Sequence, residues 1–188
     1  MSVLVVGLAL FFLPHLLPMF PGRRAALVAR WDERGYRGGF SLVSAVGLVL
    51  IVVGYAYADR GPQLFAPLAA ARVLAPWAML LAFILFASSH APSHMRAAVK
   101  HPMLLGLLIW SAVHLAANGD LRGTVLFGAF FAYSIVDLVS VLHRGAAASF
   151  APRGRADLIS MAAGVVAALL VMIFHRLLFG TAVVPFGV

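Results

Sequence analysis

The chain has 188 residues, of which 63% are hydrophobic and 11% charged, and its mean hydropathy is +1.02. A soluble domain is about half apolar and about a quarter charged, so a soluble globular fold and intrinsic disorder are excluded. The absence of cysteine excludes disulfides, thiolate metal sites and thiol nucleophiles. The net charge is +8, and the basic residues lie between apolar segments, which indicates membrane topology and not nucleic-acid binding.

Six apolar segments predict helices that cross a bilayer, which takes about 20 residues per helix. In chain order they are residues 3–20, 40–58, 73–89, 102–117, 125–142 and 158–178. The third and fourth are short, which favours tilt or local thinning of the bilayer. The sequence therefore predicts an all-α polytopic membrane helix bundle of about six transmembrane helices, folded as one domain over residues 1–188, with the lipid bilayer as its partner and no nucleic acid.

The basic residues predict an orientation. Ten of the fourteen Lys and Arg residues lie in the connections after the first, third and fifth segments. Basic connections stay in the cytoplasm, so both termini are predicted to face the opposite compartment. The first connection, residues 22–39, carries five arginines and several apolar residues. The sequence leaves open whether it is an amphipathic interfacial helix that binds anionic lipid or a solvated loop.

Seven histidines are unexpected in so apolar a chain, and the predicted topology gives each a depth. Five lie at the predicted cytoplasmic ends of the segments: His15, His90, His94, His101 and His143. His114 and His175 lie toward the opposite face. A histidine at a helix end often only meets headgroups and water, which is the interpretation we give His94, His143 and His175. His15 lies inside an apolar helix, where an ionisable side chain is a functional candidate.

The segment HPMLLGLLIWSAVH begins at His101 and ends at His114. In a helix these two residues are separated by about 20 Å and about 140°, so they cannot hold one metal together. His101 would pair with a histidine of another helix, and His15 and His90 lie at the matching depth. A pair of imidazoles from two helices of a membrane bundle is a standard way to hold a haem, whereas zinc, the competing metal, usually takes three or four ligands.

Two further side chains are predicted near such a site. Trp110 lies four residues before His114, so both can face one side of a helix and line the bundle beneath the site. Asp137 is the single carboxylate within a predicted segment and lies at the depth of the histidine cluster. It could accept a hydrogen bond from a ligating imidazole and fix its tautomer. Alternatively it pairs with Arg144, two helical turns further along.

The segment HPMLLGLLIWSAVHLAANGD resembles the NnrU family, as do PHLLP near the N-terminus and FSLVSAVGLVLIVVGY after it. The resemblance extends over nearly the whole chain. NnrU proteins are small polytopic membrane proteins linked to nitrite and nitric oxide reduction in denitrifying bacteria. The same family domain occurs in the zeta-carotene isomerase of plants and algae, a haem-b membrane enzyme, which is similar at His15, at the segment from His101 to His114 and at residues 183–186.

The resemblance implies an integral protein of the bacterial inner membrane that supports nitrite and nitric oxide reduction by handling haem or redox equivalents. In such a membrane, the basic connections predict that both termini face the periplasm. It implies haem b as the cofactor, with His15 and His101 as its axial ligands and His90 as the replacement candidate.

Two alternatives remain. One is a haem-dependent cis–trans isomerase of a carotenoid-like polyene. The resemblance therefore leaves enzymatic activity undecided, and an apolar small molecule is among the possible partners. Without cysteine, an exchange of haem ligands that involves a thiolate is not available to this chain. The other is a cofactor-free membrane scaffold in which the histidines are structural. Partner membrane proteins are not identified by the sequence.

Overall fold

The computed structural model describes residues 1–145 and 149–181, so residues 183–186 of the resemblance lie outside the described ranges. The chain is 83% helical, and no strand occurs in those ranges. The predicted all-α polytopic membrane fold is therefore confirmed. The chain divides into two compact units, Met1–Pro62 and Gln63–Val188. The prediction of one domain over residues 1–188 stays a prediction.

The first unit is an antiparallel pair of helices. Helix α1 spans Ser2–Leu16 and continues into a 3₁₀ turn at Leu17–Met19, and helix α2 spans Pro21–Tyr57. Proline stands in the first turn of both the 3₁₀ segment and α2, where its missing N–H leaves no bond unmade. Leu4 of α1 is fully buried against α2. The main chains of the two helices come this close because glycines stand at the crossing.

Helix α2 is two helical segments joined at Asp32. The backbone of Asp32 has φ +59° and ψ 173°, which no helix contains. Its Oδ1 accepts a hydrogen bond of 2.7 Å from the N–H of Gly35, three residues on, which is how an N-cap side chain starts a new helix. The arginine-rich segment thus extends across the break, with three arginines before Asp32 and two after it, and the apolar run follows from Phe40. Apart from the break at Asp32, residues 22–39 are helical, so the interpretation as a solvated loop is wrong.

The second unit contains four long helices and one short one. They are α3 at Ala69–Ser88, the short α4 at His94–Val99, α5 at Pro102–Asn118, α6 at Leu121–His143 and α7 at Gly154–Phe179. Helix α3 packs against both α5 and α7, and α6 packs against α5. The fully buried Ala82 lies in α3. Gly164 lets α7 approach α3 so closely that an added Cβ would lie 2.5 Å from the Cα of Ile84.

The turn between α5 and α6 follows from an Asn-Gly-Asp sequence. Gly119 has φ +77°, a left-handed conformation that favours glycine, and ends α5. Asp120 caps α6 by accepting a hydrogen bond of 2.7 Å from the N–H of Gly123. The N–H of Leu64 donates to the carbonyl of Gly119 over 2.8 Å and ties the preceding loop to this turn.

Five helices in the described ranges are long and apolar enough to cross a membrane: α1 with its 3₁₀ turn, α2, α3, α6 and α7. Helix α5 is apolar but has only 17 residues. Each of the six predicted segments coincides with one of these helices. Large apolar side chains are exposed along them, including Leu158 at 70% and Ile173 at 71%. Such surfaces are stable in lipid and not in water, which supports an integral membrane protein.

Candidate functional site

His15 is held at the end of α1 by its own helix. Its Nδ1 lies 2.6 Å from the carbonyl oxygen of Phe11, one turn earlier, and its ring stacks on the Phe11 ring at 4.3 Å. The ring of Phe40, from α2, lies 4.9 Å away. Because a carbonyl only accepts, Nδ1 must carry the proton, and the lone pair of the neutral imidazole is then on Nε2. This is the tautomer in which imidazole ligates a metal through Nε2.

His101 stands immediately before α5 in a strained turn. Lys100 has φ +60° and ψ −46°, and the N–H of His101 donates to the carbonyl of Val99 over 2.6 Å. This geometry is a γ-turn of the rare, strained kind. Pro102 then takes the first position of α5. Strain of this kind persists where the surrounding structure requires it and clusters at functional sites, so the turn marks His101 as a positioned side chain.

A cavity of about 200 Å³ opens beside His101. Its walls combine basic, polar and apolar side chains from the ends of α3, α4 and α5: Ser89, Arg96, Lys100, His101, Pro102, Met103 and Leu104. No hydrogen bond of the His101 imidazole occurs in the part of the chain that the structure describes. The cavity therefore offers an imidazole nitrogen, two cationic groups for an anion and an apolar wall. Sequence reasoning missed Arg96 and Lys100 as groups of this site, although Lys100 directly precedes His101 in the chain.

The surroundings of His101 favour its neutral form. Burial lowers the pKa of His101 below its ordinary value; the carboxylate of Asp137 opposes this, while Lys100 and Arg144 add to it. The imidazole is therefore neutral at neutral pH, and the neutral form is the one that ligates metals.

The carboxylate of Asp137 contacts two side chains that share its face of α6, Tyr133 and Arg144. Its Oδ2 accepts a hydrogen bond of 3.0 Å from the hydroxyl of Tyr133, one turn earlier. Its Oδ1 lies 3.9 Å from Nη2 of Arg144. The alternative pairing with Arg144 is thus present, and the electrostatic effect of Asp137 on His101 places the two in one neighbourhood. Tyr133 was missed, although its spacing of four from Asp137 is a signal that the sequence contains.

Trp110 and His114 form an aromatic cluster with α6. The ring centroids of these two residues lie 5.3 Å apart, as their spacing of four predicts, and the Nδ1–H of His114 donates to the carbonyl of Trp110 over 2.8 Å. Phe127 lies 4.8 Å from His114 and 5.2 Å from Trp110, and Phe130 meets Trp110 edge-on at 5.4 Å. The cluster packs α5 on α6. Its place beneath a cofactor stays a prediction.

The remaining histidines lie at connections and helix ends. His94 begins α4 and pairs with Asp157 of α7 over 2.7 Å, and the N–H of Met95 reaches the same carboxylate. His90 lies in the turn after α3, and His143 is the last residue of α6. His175 donates from Nδ1 to the carbonyl of Thr181 over 2.8 Å. The hydrogen bond to Asp157 gives His94 a structural partner, and its interpretation as a helix-end residue stays a prediction.

The candidate ligands belong to separate units. His15 lies in the first unit and His101 and His90 in the second, so the pairing of His15 with His101 stays a prediction. Across residues 1–145 and 149–181, no three His, Asp or Glu side chains form a group that could hold a metal ion. Haem requires no such group, because its porphyrin supplies four ligands and the protein supplies one or two.

The turn at Lys100 gives a testable prediction. Replacing Lys100 with glycine removes the Cβ that strains the γ-turn, whereas replacing it with alanine removes the same charge and keeps the Cβ. We expect the glycine variant to be more stable than the alanine variant by about 1 kcal/mol, the low end of the cost of such a backbone. Denaturant unfolding of the two variants in detergent measures the difference. Equal stability, or a more stable alanine variant, would contradict the strain.

Comparison with known families gives one match that covers nearly the whole chain. The family model described as NnrU protein matches residues 3–183, a range that includes every candidate site residue named above and all of the six long helices except the first residue of α1. No curated protein and no solved structure matches the chain.

Proposed function

Because this chain belongs to the NnrU family, we propose that it is a haem-b-binding protein of the bacterial inner membrane that supports nitrite and nitric oxide reduction by handling haem or redox equivalents. The observation that carries the proposal is His101. Its imidazole is positioned by a strained turn at a cavity with a basic rim and an apolar wall, and burial favours the neutral form of the imidazole. The basic side chains of Arg96 and Lys100 beside His101 support an orientation in which the N-terminal end of α5 faces the cytoplasm.

The residues around His101 match the chemistry of a haem. Haem b carries two propionate carboxylates on an otherwise apolar macrocycle, and it supplies one-electron redox chemistry when bound. Arg96 and Lys100 would bind the propionates through charge-assisted hydrogen bonds. Met103 and Leu104 would contact the macrocycle. The imidazole of His101 would be one axial ligand.

His15 is the proposed second ligand. Its hydrogen bond to the Phe11 carbonyl orients the ring and leaves the lone pair on Nε2. A ligating histidine almost always donates its other N–H to a carbonyl, carboxylate or water, which raises the basicity of the ligand. The stacking on Phe11 further limits rotation of the ring. These contacts support His15 as a ligand independently of the contacts at His101.

A reduced-minus-oxidised absorption spectrum tests the proposal. The full-length protein is expressed with added haem precursor, purified in detergent and compared with the same preparation from a host that lacks the gene. We expect a b-type spectrum, with haem present in a simple ratio to protein. If the protein is folded by circular dichroism and no haem spectrum appears, the proposal is wrong and the cofactor-free scaffold is favoured.

The biological role needs a second experiment. In a denitrifying bacterium, deletion of the gene should slow nitrite or nitric oxide consumption, and the intact gene should restore it. The purified protein is also incubated with a cis-carotenoid under reducing and oxidising conditions. Conversion of the carotenoid together with unchanged denitrification would replace the proposed role with that of a haem-dependent isomerase.

A further inference from the structure

The arginine-rich part of α2 carries more positive charge than it neutralises. Residues 23–37 contain five arginines and two acids. Glu33 binds two of the arginines: Nη2 of Arg24 lies 3.0 and 3.2 Å from its two oxygens, and Nε of Arg37 lies 2.9 Å from Oε1. Arg34 makes no ion pair with any residue in the part of the chain that the structure describes. This segment therefore keeps a local excess of positive charge.

A hollow of about 570 Å³ lies on this segment, open to the outside. Its lining is Glu33, Arg34, Arg37, Gly38 and Ser41. The spacing from Arg34 to Arg37 to Ser41 puts the two guanidinium groups and the hydroxyl on one face of the helix. A Cβ at Gly38 would meet nothing within 4 Å, so the main chain is open to a ligand between them. Two arginines and a hydroxyl around an unobstructed hollow suit a phosphate group.

An apolar stripe continues from the hollow along the same face of α2. It consists of the exposed side chains of Ala45, Leu48 and Val52. These residues follow Ser41 at spacings of four, seven and eleven, so they lie below the hollow in line with it. On the other side of the hollow, Trp31 is exposed at the arginine-rich end, and tryptophan is typical of the interface between membrane and water. The hollow is thus at headgroup depth and the stripe at acyl-chain depth.

We propose that this face of α2, defined by Arg34, Arg37, Gly38 and Ser41, is a binding site for one anionic phospholipid. The phosphate binds the two guanidinium groups, the headgroup hydroxyls reach Ser41 and Glu33, and the acyl chains lie on the apolar stripe. The excess positive charge selects an anionic headgroup over a zwitterionic one, because the ammonium of a zwitterionic lipid would be repelled. The site lies wholly within the first unit and does not depend on haem.

Native mass spectrometry tests the site. The full-length protein is purified in detergent, equilibrated with equal amounts of phosphatidylglycerol and phosphatidylethanolamine, and the lipid retained per chain is counted. We expect phosphatidylglycerol to be retained preferentially. The Arg34→Gln variant should lose about fivefold in affinity and the Arg34→Gln/Arg37→Gln variant about 25-fold, as about 1 kcal/mol per basic residue implies. Arg34 is the cleaner test of the two, because it lacks an ion pair that could affect folding.

Two matched controls separate the site from general charge. The Arg153→Gln/Arg155→Gln variant removes the same charge from another basic connection and should retain the lipid. The Gly38→Leu variant fills the hollow without changing charge and should lose it, whereas Gly39→Leu, which also meets open space, should not. Equal retention of the two lipids by the unmodified protein would overturn the proposal. Unchanged binding in folded Arg34→Gln, Arg34→Gln/Arg37→Gln and Gly38→Leu variants would also overturn it.

Discussion

Replacing Gly54 with alanine is expected to destabilise the first unit by about 2–3 kcal/mol, the upper part of the range of about 1–3 kcal/mol that forcing extra atoms into a tightly packed interface usually costs. A Cβ at Gly54 would overlap the main-chain nitrogen of Leu4 and lie 2.6 Å from its Cα. These are backbone atoms of a regular helix, so they cannot move aside as the end of a flexible side chain can. The two helices must separate along their whole contact to admit the methyl group.

The sign of this effect is opposite to that of helix propensity. In the interior of an exposed helix, exchanging glycine for alanine stabilises by about 1 kcal/mol. Gly39 provides the matched control, because it lies in the same helix and an added Cβ meets nothing within 4 Å. Gly39→Ala should therefore be neutral or stabilising. Denaturant unfolding of both variants in one detergent, followed by circular dichroism, measures the difference.

The same interface predicts a pattern among its other glycines. A Cβ at Gly47 would lie 2.5 Å from the nitrogen of Phe11, and one at Gly7 would lie 2.6 Å from the nitrogen of Ile51. Both should lose stability on substitution by alanine, and the losses should not add, because one separation of α1 from α2 relieves all three overlaps. If Gly54→Ala is as stable as the unmodified protein while Gly39→Ala behaves as expected, α1 and α2 do not pack through these glycines.

The membrane helices could be predicted because lipid leaves the backbone few choices. A segment in the bilayer must satisfy its own N–H and C=O groups, so an apolar run of sufficient length becomes a helix whatever its detailed sequence. All six predicted segments lie in helices. Their ends were less predictable, since α2 begins at Pro21 and the apolar run at Phe40. The arginines and alanines between Pro21 and Phe40 are good helix formers. The arginines lower the hydropathy of this stretch, however, so a prediction based on hydropathy starts the helix only at Phe40.

The candidate site could be predicted where its contacts are local. The contact between Trp110 and His114 follows from a spacing of four, and the Asp137–Arg144 pair from a spacing of seven. The cavity beside His101 could not be predicted, because it depends on Lys100 adopting a positive φ. Nothing in the identity of a lysine indicates that conformation, which is imposed by the neighbouring helices and not by local preference.

Replacing His101 or His15 with alanine is expected to reduce the haem bound per chain by more than about tenfold. Even the loss of a hydrogen-bond partner of a metal ligand typically weakens metal binding by about 10–100-fold, and loss of the ligand itself removes a bond to the iron. His175→Ala is the control, because His175 lies near the C-terminal end of α7 and its imidazole donates to the carbonyl of Thr181. Absorption spectra at equal protein concentration measure the bound haem, with circular dichroism to establish that each variant is folded.

Methionine variants separate a ligand from a residue that only supports the fold. Methionine can replace histidine as an axial ligand, and a His/Met pair raises the reduction potential of the haem relative to a His/His pair. We therefore expect His101→Met and His15→Met to keep more haem than the alanine variants, at a higher midpoint potential. A structural role would give no such shift. If His15→Ala keeps the spectrum and His90→Ala loses it, His90 is the ligand in place of His15; unchanged spectra in both His15→Ala and His101→Ala would mean that neither residue binds the iron.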